Sequence, residues 1–569
     1  MPIDLIKTHP GVGKTYITAN LLKDHSDSVL WFAPTYRQAE EVQILLPEAF
    51  LFRSRSQMYK DEDLNCRFLE GIKRAQKNAL NATAIFCQRK CGLIDSCPYF
   101  EQFKIAKKRR IVILMHAYLG TGIPRQLAKD LWVIDENIFS EYRQARVIGQ
   151  ADLDFTSSIV NRALNTAHER TGEEGISYAR TIFLGLQEHL GLVQQGKTGG
   201  EFPYNVSALA WEVIHDNYEG NDEHPKGKLV VRDVLSFTDN TVLREIPGSG
   251  EEHGFPDMDY IHTAYLPRDN IIILDATQNE ENLRAILGES TEIRTFSSTD
   301  YNIEQHAEVI QVYGANYGRT SLIDMDGKST MAFEKLTKVM EELCYGEEYH
   351  LITHKKVVEH FRLTSVLGED NANWFGNTRG LNTMKKARNL VILGTYMPPV
   401  RDLVEGARVL YNQTWDSRLE EERAVADLAN TKWLPIRFTD PKHEPVHVRQ
   451  RQFSNSFVQL YYQHSILAEI EQAIGRARIN EPTDEKRRLV IISNHISEFV
   501  TVDTAVNIRK LMARRTEQQE LIADCIEKLL LQGIIPSKIS PTVIARELGS
   551  KVSIATIKRH YKDLLKEFL

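Results

Sequence analysis

Residues 8 to 15 read Thr8-His9-Pro10-Gly11-Val12-Gly13-Lys14-Thr15, and the fold is decided by what flanks them. Before them Asp4–Lys7 suits a short strand, and after them Tyr16–Lys23 carries a helical pattern. Strand, glycine loop and helix in that order turn backbone N–H groups and a helix N-terminus toward phosphate oxygens. Gly11 and Gly13 keep the loop open to the phosphates, Lys14 neutralises their β/γ charge, and the Thr15 hydroxyl holds Mg²⁺. The plain alternative is a chance Gly-Lys-Thr before a helix, and the partners further along the chain decide against it.

The main partner is Leu131-Trp132-Val133-Ile134-Asp135-Glu136. An apolar strand delivers two carboxylates at its C-terminal end, where ligands of parallel sheets bind. Asp135 is expected to hold Mg²⁺ through water and Glu136 to polarise the attacking water. Asn270–Leu274 and Tyr349–Ile352 are further apolar strands, ending in Asp275-Ala276-Thr277 and Thr353-His354-Lys355. Gly376-Asn377-Thr378-Arg379-Gly380-Leu381-Asn382 precedes the strand Leu390–Leu393. Glu471-Gln472-Ala473-Ile474-Gly475-Arg476-Ala477-Arg478 reads as helical, with Gln472, Gly475 and Arg476 on one face. Arg476 and Arg478 there can reach a γ-phosphate across a domain cleft and stabilise transition-state charge. A solvated helix face is the plainer reading of such a pair taken alone.

The chain has 569 residues, too many for one core, so roughly three or four domains are expected. Hydrophobic residues at 42% and charged residues at 26% are those of a globular chain. No apolar run approaches the roughly 18 to 20 residues that span a membrane. The first residues run straight into a strand and loop, so no leader is expected. The net charge of −7 excludes a uniformly basic nucleic-acid coat, yet Cys66–Arg110 holds 11 Lys/Arg against 3 Asp/Glu. Such a segment attracts phosphates locally whatever the total.

Six cysteines in so long a chain suggest a reduced, cytoplasmic setting rather than a disulfide framework. Four of them, Cys66, Cys87, Cys91 and Cys97, lie between the glycine loop and the acidic pair. Four thiolates complete either a zinc site or an iron–sulfur cluster. Structural zinc favours two close pairs; one distant cysteine joined by three at short, uneven gaps suits a cubane cluster better. Free buried thiols are the third possibility. Cys344 and Cys525 stand alone in apolar surroundings, as core residues do.

Together these segments resemble the superfamily 2 helicase motifs. Thr8 in place of the usual first glycine is a substitution of helicase-type loops. Ala33-Pro34-Thr35 is similar to motif Ia, Asp275-Ala276-Thr277 to motif III, and Gly380 with Asn382 to motif V. Gln472–Arg478 is similar to motif VI, with its last arginine one place early. The cysteines narrow the resemblance to the XPD/DinG family of iron–sulfur DNA helicases, over roughly Pro2 to Phe499. Cys97-Pro98-Tyr99-Phe100 and Ile113–Leu119 resemble that family's segments after the cluster. The chain departs from the family in reading Asp135-Glu136-Asn137-Ile138 for Asp-Glu-Ala-His. The carboxylates are kept and the histidine is not.

The resemblance implies an α/β fold with two RecA-like P-loop motor domains. The first is expected over 1–62, 111–140 and 265–300, and the second over 301–500. A 4Fe–4S domain would occupy 63–110 and a helical Arch-like insertion 141–264, with helices near Gln150–Thr171 and Gly175–Leu192. It implies ATP and Mg²⁺ as cofactors, 5′→3′ unwinding, single-stranded and forked DNA as partners, and a monomer; replication, repair or mobile-element maintenance is the expected setting, and the lack of an apolar span predicts no membrane partner. Lys104, Lys107, Lys108, Arg109 and Arg110 would then face the strand, while Tyr99, Phe100 and Phe103 either stack on bases or pack around the cluster.

Residues 501–569 fall outside the motor pattern. Ile508–Leu531 suits one long helix. Ser540–Gly549 and Val552–His560 suit a helix-turn-helix, winged-helix-like, with a core of Val543, Ile544, Leu548, Ile554 and Ile557. Ser553, Thr556, Lys558 and Arg559 would lie on its recognition helix; a small packing bundle is the alternative. Two further readings of the whole chain stay open: a zinc-stabilised translocase that does not separate strands, and a nucleotide-switched DNA-binding regulator.

Overall fold

The computed structural model describes every residue except 1, 10, 61–62, 79, 93, 138, 196–201, 220–226, 236–240, 247–256, 268, 298–303, 324–329, 369–370, 379–383, 385–386, 513–516, 567 and 569. Gly380 and Asn382, the motif V pair, therefore lie outside the described residues. So do Pro10, Ile138, Arg379, Leu381 and most of the Gly/Lys-rich stretch 195–201 and the acidic stretch 218–224, whose composition suits exposed loops. The chain is mixed α/β and divides into two compact units. One comprises Met1–Lys7, Gly13–Ser297 and Val400–Arg423; the other comprises Thr8–Val12, Ser298–Pro399 and Ala424–Leu569.

The first unit is built on a seven-stranded sheet. Its order is Ile293–Ser297, Ile3–Lys7, Ile271–Leu274, Leu131–Asp135, Val29–Ala33, Ile111–Met115 and Phe50–Leu51, and every pair is parallel. Val29–Ala33 and Ile111–Met115 are buried at every position. Their unbroken apolar runs are what a parallel strand covered on both faces requires. Ile271–Leu274 lies between the strand before the glycine loop and the strand ending in Asp135. Leu5 pairs with Ile273, and Ile273 with Ile134. The C-terminal ends of these three strands are thereby level.

The cysteine segment and the helical insertion, expected as separate domains, share one hydrophobic core. Ile72, Ile85, Phe86 and Cys87 pack with Ile159, Phe183, Leu186, Trp211 and Ile214. These come from Leu69–Lys77, a π-helical stretch Thr83–Lys90, and the helices Gln150–Glu169, Ile176–Gln194 and Ala208–Glu219. Arg89 bonds Glu212 and reaches Glu173 at 3.1 Å, and Lys90 lies 3.8 Å from Asp216. Two of the cations counted toward a nucleic-acid surface are thus matched to the insertion's own acids. An antiparallel sheet of Arg143–Ile148, Met258–Thr263 and Thr241–Glu245 completes the insertion.

Val400–Arg423 also belongs to this unit, although it follows strand Asn389–Leu393 of the other. Helix Val400–Leu410 brings in Arg408, only 2% exposed, which bonds both oxygens of Asp259 and donates to Glu405 at 2.6 and 3.0 Å. The Tyr411 hydroxyl donates to Asn282 Oδ1 at 2.6 Å, and Arg143 donates to the Leu410 carbonyl.

The second unit has a six-stranded parallel sheet in the order Ala372–Trp374, His350–Thr353, Asn389–Leu393, Arg487–Ile492, Ala307–Tyr313, Thr504–Asn507. Where one long helix was expected, the described helices are Ile508–Met512 and Glu517–Leu531. Helices Pro541–Leu548 and Ile554–Lys566 follow, and Ile522, Ile526, Ile544, Ile557 and Leu564 form their core. Ile554 is 49% exposed, contrary to expectation, and Val552 is the buried residue instead. Val552 is extended and precedes the helix, so it points inward where the first helical position cannot. Ser553 accepts from the Thr556 amide at 3.2 Å, so its hydroxyl caps the second helix. Among the described residues no helix is long and apolar enough to cross a membrane. Cys344 and Cys525 are buried, as expected.

A buried ion pair stripped of one member leaves an uncompensated charge. Asp259→Leu is expected to lower the stability of the first unit by about 3–5 kcal/mol, with Arg408→Met added to it recovering most of the loss. The midpoint of urea unfolding reads both.

Candidate functional site

Helix Lys14–Lys23 starts directly after Gly13, which is left-handed at φ 83°, as is Gly11 at φ 87°. Such backbone favours glycine because it lacks a Cβ. Thr15 Oγ1 donates to Asp135 Oδ2 at 2.9 Å, across 120 residues of sequence. The loop's hydroxyl and the first acid of the apolar strand therefore meet, and the charge of Lys14 also acts on Asp135. The Asp135 carboxyl is pushed up to about 7 by burial and then by Glu136, with the Thr15 hydrogen bond and Lys14 opposing and Asp275 adding to the rise. An acidic site that raises its own carboxyl in this way favours a cation that relieves the repulsion.

Glu136 sits at φ 66°, a conformation uncommon for any side chain other than glycine. Its amide donates to the Leu274 carbonyl at 3.1 Å, and its Oε1 accepts from Gln38 Nε2 at 3.1 Å. Gln38 is aimed by Thr35, whose hydroxyl donates to Gln38 Oε1 at 3.1 Å and accepts the Gln38 amide. The motif Ia threonine is therefore both a helix cap and the orienter of a residue on the second acid. His116 Nε2 donates to the Asp135 carbonyl at 2.8 Å. The sequence reading missed Gln38 and gave His116 no role. A polar residue one turn into a helix that starts at a strand's C-terminal end was the available signal for Gln38.

Asp275 accepts from the amide and hydroxyl of Thr277, both at 2.8 Å, which makes the motif III segment a closed turn.

In the second unit the expected helical stretch is Ala468–Gly475, and it stops before the arginines. Arg476 is the C-cap, and Arg478 lies beyond it at φ 48°. Arg478 Nη1 donates to the Gly11 carbonyl at 2.6 Å and lies 3.5 Å from Glu481. Gln472 is half-buried on that helix.

The four cluster cysteines are not assembled as ligands. Among the described residues no group of three or more His, Cys, Asp or Glu side chains is arranged to hold a metal. Cys87 Sγ accepts from Arg55 Nη1 at 3.3 Å, and Cys97 Sγ lies 4.0 Å from the Asn65 carbonyl. Cys91 lies past the π-helical stretch, as its C-cap. The donor chemistry nevertheless suits a soft metal. Burial pushes the Cys87 thiol up, Arg55 opposes this, and Cys66 and Cys97 are close enough to add to it. Three thiols and one cation thus share a neighbourhood, and a guanidinium suits a cluster of net negative charge.

Tyr99, Phe100 and Phe103 pack against one another, and Phe52 meets Tyr99 and Phe103 edge-on. Arg55 lies over the Tyr99 ring at 4.0 Å. These rings thus form one aromatic group with Phe52. Arg110 donates to the Leu22, Lys23 and His25 carbonyls and pairs with Glu48 at 2.9 Å. It closes the end of helix Lys14–Lys23 and does not face outward. Lys104, Lys107, Lys108 and Arg109 are exposed.

No family model and no curated protein matches the chain. Solved structures similar to it include one named XPD_APO, at 12% identity, 86% of this chain, 92% of that chain and a TM-score of 0.40. Another, named XPD_Helicase, is similar at 13% identity over 86% and 92%, with a TM-score of 0.42. "Structure of S. tokodaii Xpd4" is similar at 12% identity over 87% and 92%, with a TM-score of 0.38.

The folded chain holds a proton on Asp135 that the unfolded chain releases, so this group's contribution to stability is present below 3.8 and lost as pH rises to about 7. Measured against the parent in metal-free buffer, Asp135→Asn is expected to gain melting temperature as pH rises through that window. Added Mg²⁺ should narrow the difference at the upper end.

Proposed function

We propose that the protein is an ATP-dependent DNA helicase of the XPD/DinG type. The observation that carries this reading is the 2.9 Å hydrogen bond from Thr15 to Asp135, which brings the phosphate loop and the acidic strand end into one site. Lys14, with the backbone of Gly11 and Gly13, would hold the triphosphate, and Thr15 and Asp135 would hold Mg²⁺. Bound Mg²⁺ would neutralise the charge that develops on the phosphates. Glu136, which accepts a hydrogen bond from Gln38, would polarise the attacking water, while Gln472, Arg476 and Arg478 would meet the charge of the transferred phosphoryl group.

Cys66, Cys87, Cys91 and Cys97 are proposed ligands of a 4Fe–4S cluster. The support is a thiolate-only donor set in which three members already share one electrostatic neighbourhood with Arg55. The exposed cations Lys104, Lys107, Lys108 and Arg109 are proposed phosphate contacts on single-stranded or forked DNA, sequence-independent and weakened by salt. The 5′→3′ polarity follows from the resemblance alone. Residues 501–569 are proposed to add DNA contact through Lys558 and Arg559, both exposed on the last helix.

Single-stranded DNA is expected to stimulate ATP hydrolysis. Lys14→Ala and Glu136→Gln should each lower the stimulated rate by roughly a hundredfold or more. Protein purified without oxygen should carry about four iron and four sulfide per chain, all lost in Cys87→Ser with Cys91→Ser. Zinc without sulfide would replace the helicase reading with the translocase one, and hydrolysis that DNA does not stimulate would favour the nucleotide-switched regulator.

A further inference from the structure

Helix Ala468–Gly475 leads to the two arginines, and a π-helical stretch, Tyr462–Leu467, runs directly into it. Two of its side chains are buried carboxylates, Glu469 at 7% exposure and Glu471 at 6%. Two residues apart on a helix, they point in different directions. Glu469 Oε2 accepts from the Gly376 amide at 2.9 Å, just past strand Ala372–Trp374. Glu471 Oε1 accepts from His495 Nε2 at 2.7 Å, and its Oε2 accepts from Ser497 Oγ at 2.6 Å. His495 and Ser497 follow strand Arg487–Ile492 and are 5% and 4% exposed. The helix is therefore clamped between the C-terminal ends of two strands of one sheet.

Burying a carboxylate is costly unless its oxygens are hydrogen-bonded, and well-packed apolar side chains would hold a helix at least as firmly. What a carboxylate with two directional partners adds is a fixed position and rotation. The same segment continues toward the glycine loop. Ser497 Oγ accepts the Phe499 amide at 3.0 Å, and the Phe499 ring meets His9 edge-on, centroids 5.2 Å apart. From the helix side Arg478 reaches the Gly11 carbonyl at 2.6 Å. Helix end and strand-end segment thus both touch the Thr8–Val12 part of the loop.

We propose that Glu471, His495 and Ser497 are positioning residues that set Arg476 and Arg478 for phosphoryl transfer. The proposal rests on the ATP-hydrolysis reading above. None of the three touches the nucleotide; they act through the helix. Misplacing a catalytic group by about 1 Å can cost on the order of a hundredfold in rate, so loosening this clamp should appear in kcat more than in KM.

The test is steady-state ATP hydrolysis by the full chain with saturating single-stranded DNA, alongside thermal melting, for Ser497→Ala, Glu471→Gln, His495→Gln and Lys14→Ala. Ser497→Ala deletes one oxygen from a packed site and keeps the fold. It and Glu471→Gln should lower kcat about tenfold to a hundredfold, leaving the KM for ATP close to the parent's, with a drop in melting temperature too small to unfold the chain at the assay temperature. His495→Gln, which keeps an N–H toward Glu471, should retain most of the activity. Combining Ser497→Ala with Glu471→Gln should cost little more than the worse single change, because the residues act as a unit. Unchanged kcat in both single variants, with Lys14→Ala inactive, would overturn the proposal, as would a loss of rate matched by a loss of melting temperature. Full activity in Lys14→Ala would instead remove the hydrolysis reading itself.

Discussion

The first unit depends on the level ending of three parallel strands, Ile3–Lys7, Ile271–Leu274 and Leu131–Asp135. Because the central strand pairs in register with both neighbours, the loop after the first and the acids after the third open on the same edge. Thr15 can then bond Asp135 at 2.9 Å. The remaining features of this edge follow from that alignment. Burial, then Glu136 and Asp275, raise the Asp135 carboxyl, while the Thr15 hydrogen bond and Lys14 oppose the rise. A buried acidic pair of this kind is relieved by a nearby positive charge.

Charge elsewhere is arranged by pairing rather than by a basic coat. The segment Cys66–Arg110 is rich in cations, yet Arg89 and Lys90 face Glu212, Glu173 and Asp216. Arg110 is turned inward onto the end of helix Lys14–Lys23. Outward are Lys104 to Arg109, on and just after one helix, together with Arg67, Lys73, Arg74 and Lys77 on and just before another. The pairing with the insertion's acids also has a structural reason. The cysteine segment has too few apolar residues for a core of its own, and it shares the insertion's.

The strap Val400–Arg423 shows the same economy of contacts. It is fixed within the first unit by Arg408, whose guanidinium is satisfied by Asp259 and Glu405. A buried, directional ion pair of this kind specifies one seat for the helix, where an apolar face would accept several.

The sequence determined what local chemistry can determine. Thr8–Thr15, Leu131–Glu136 and the apolar runs of the parallel strands were legible because loop, strand and helix each carry their signal within a few residues. The glycine positions at φ 87° and 83° agree with that reading. The tertiary structure alone decided the rest. That Gln38 would lie on Glu136, 98 residues away in sequence, depends on strands Val29–Ala33 and Leu131–Asp135 being neighbours. That Tyr99 and Phe103 would pack on Phe52 instead of offering rings outward depends on which face of their helix meets the sheet. That Glu471 would be buried against His495 and Ser497 depends on two strand ends closing on one helix. In each case a side chain's partner lies far away in the chain, and no spacing rule within a segment carries information about a neighbour that only folding supplies.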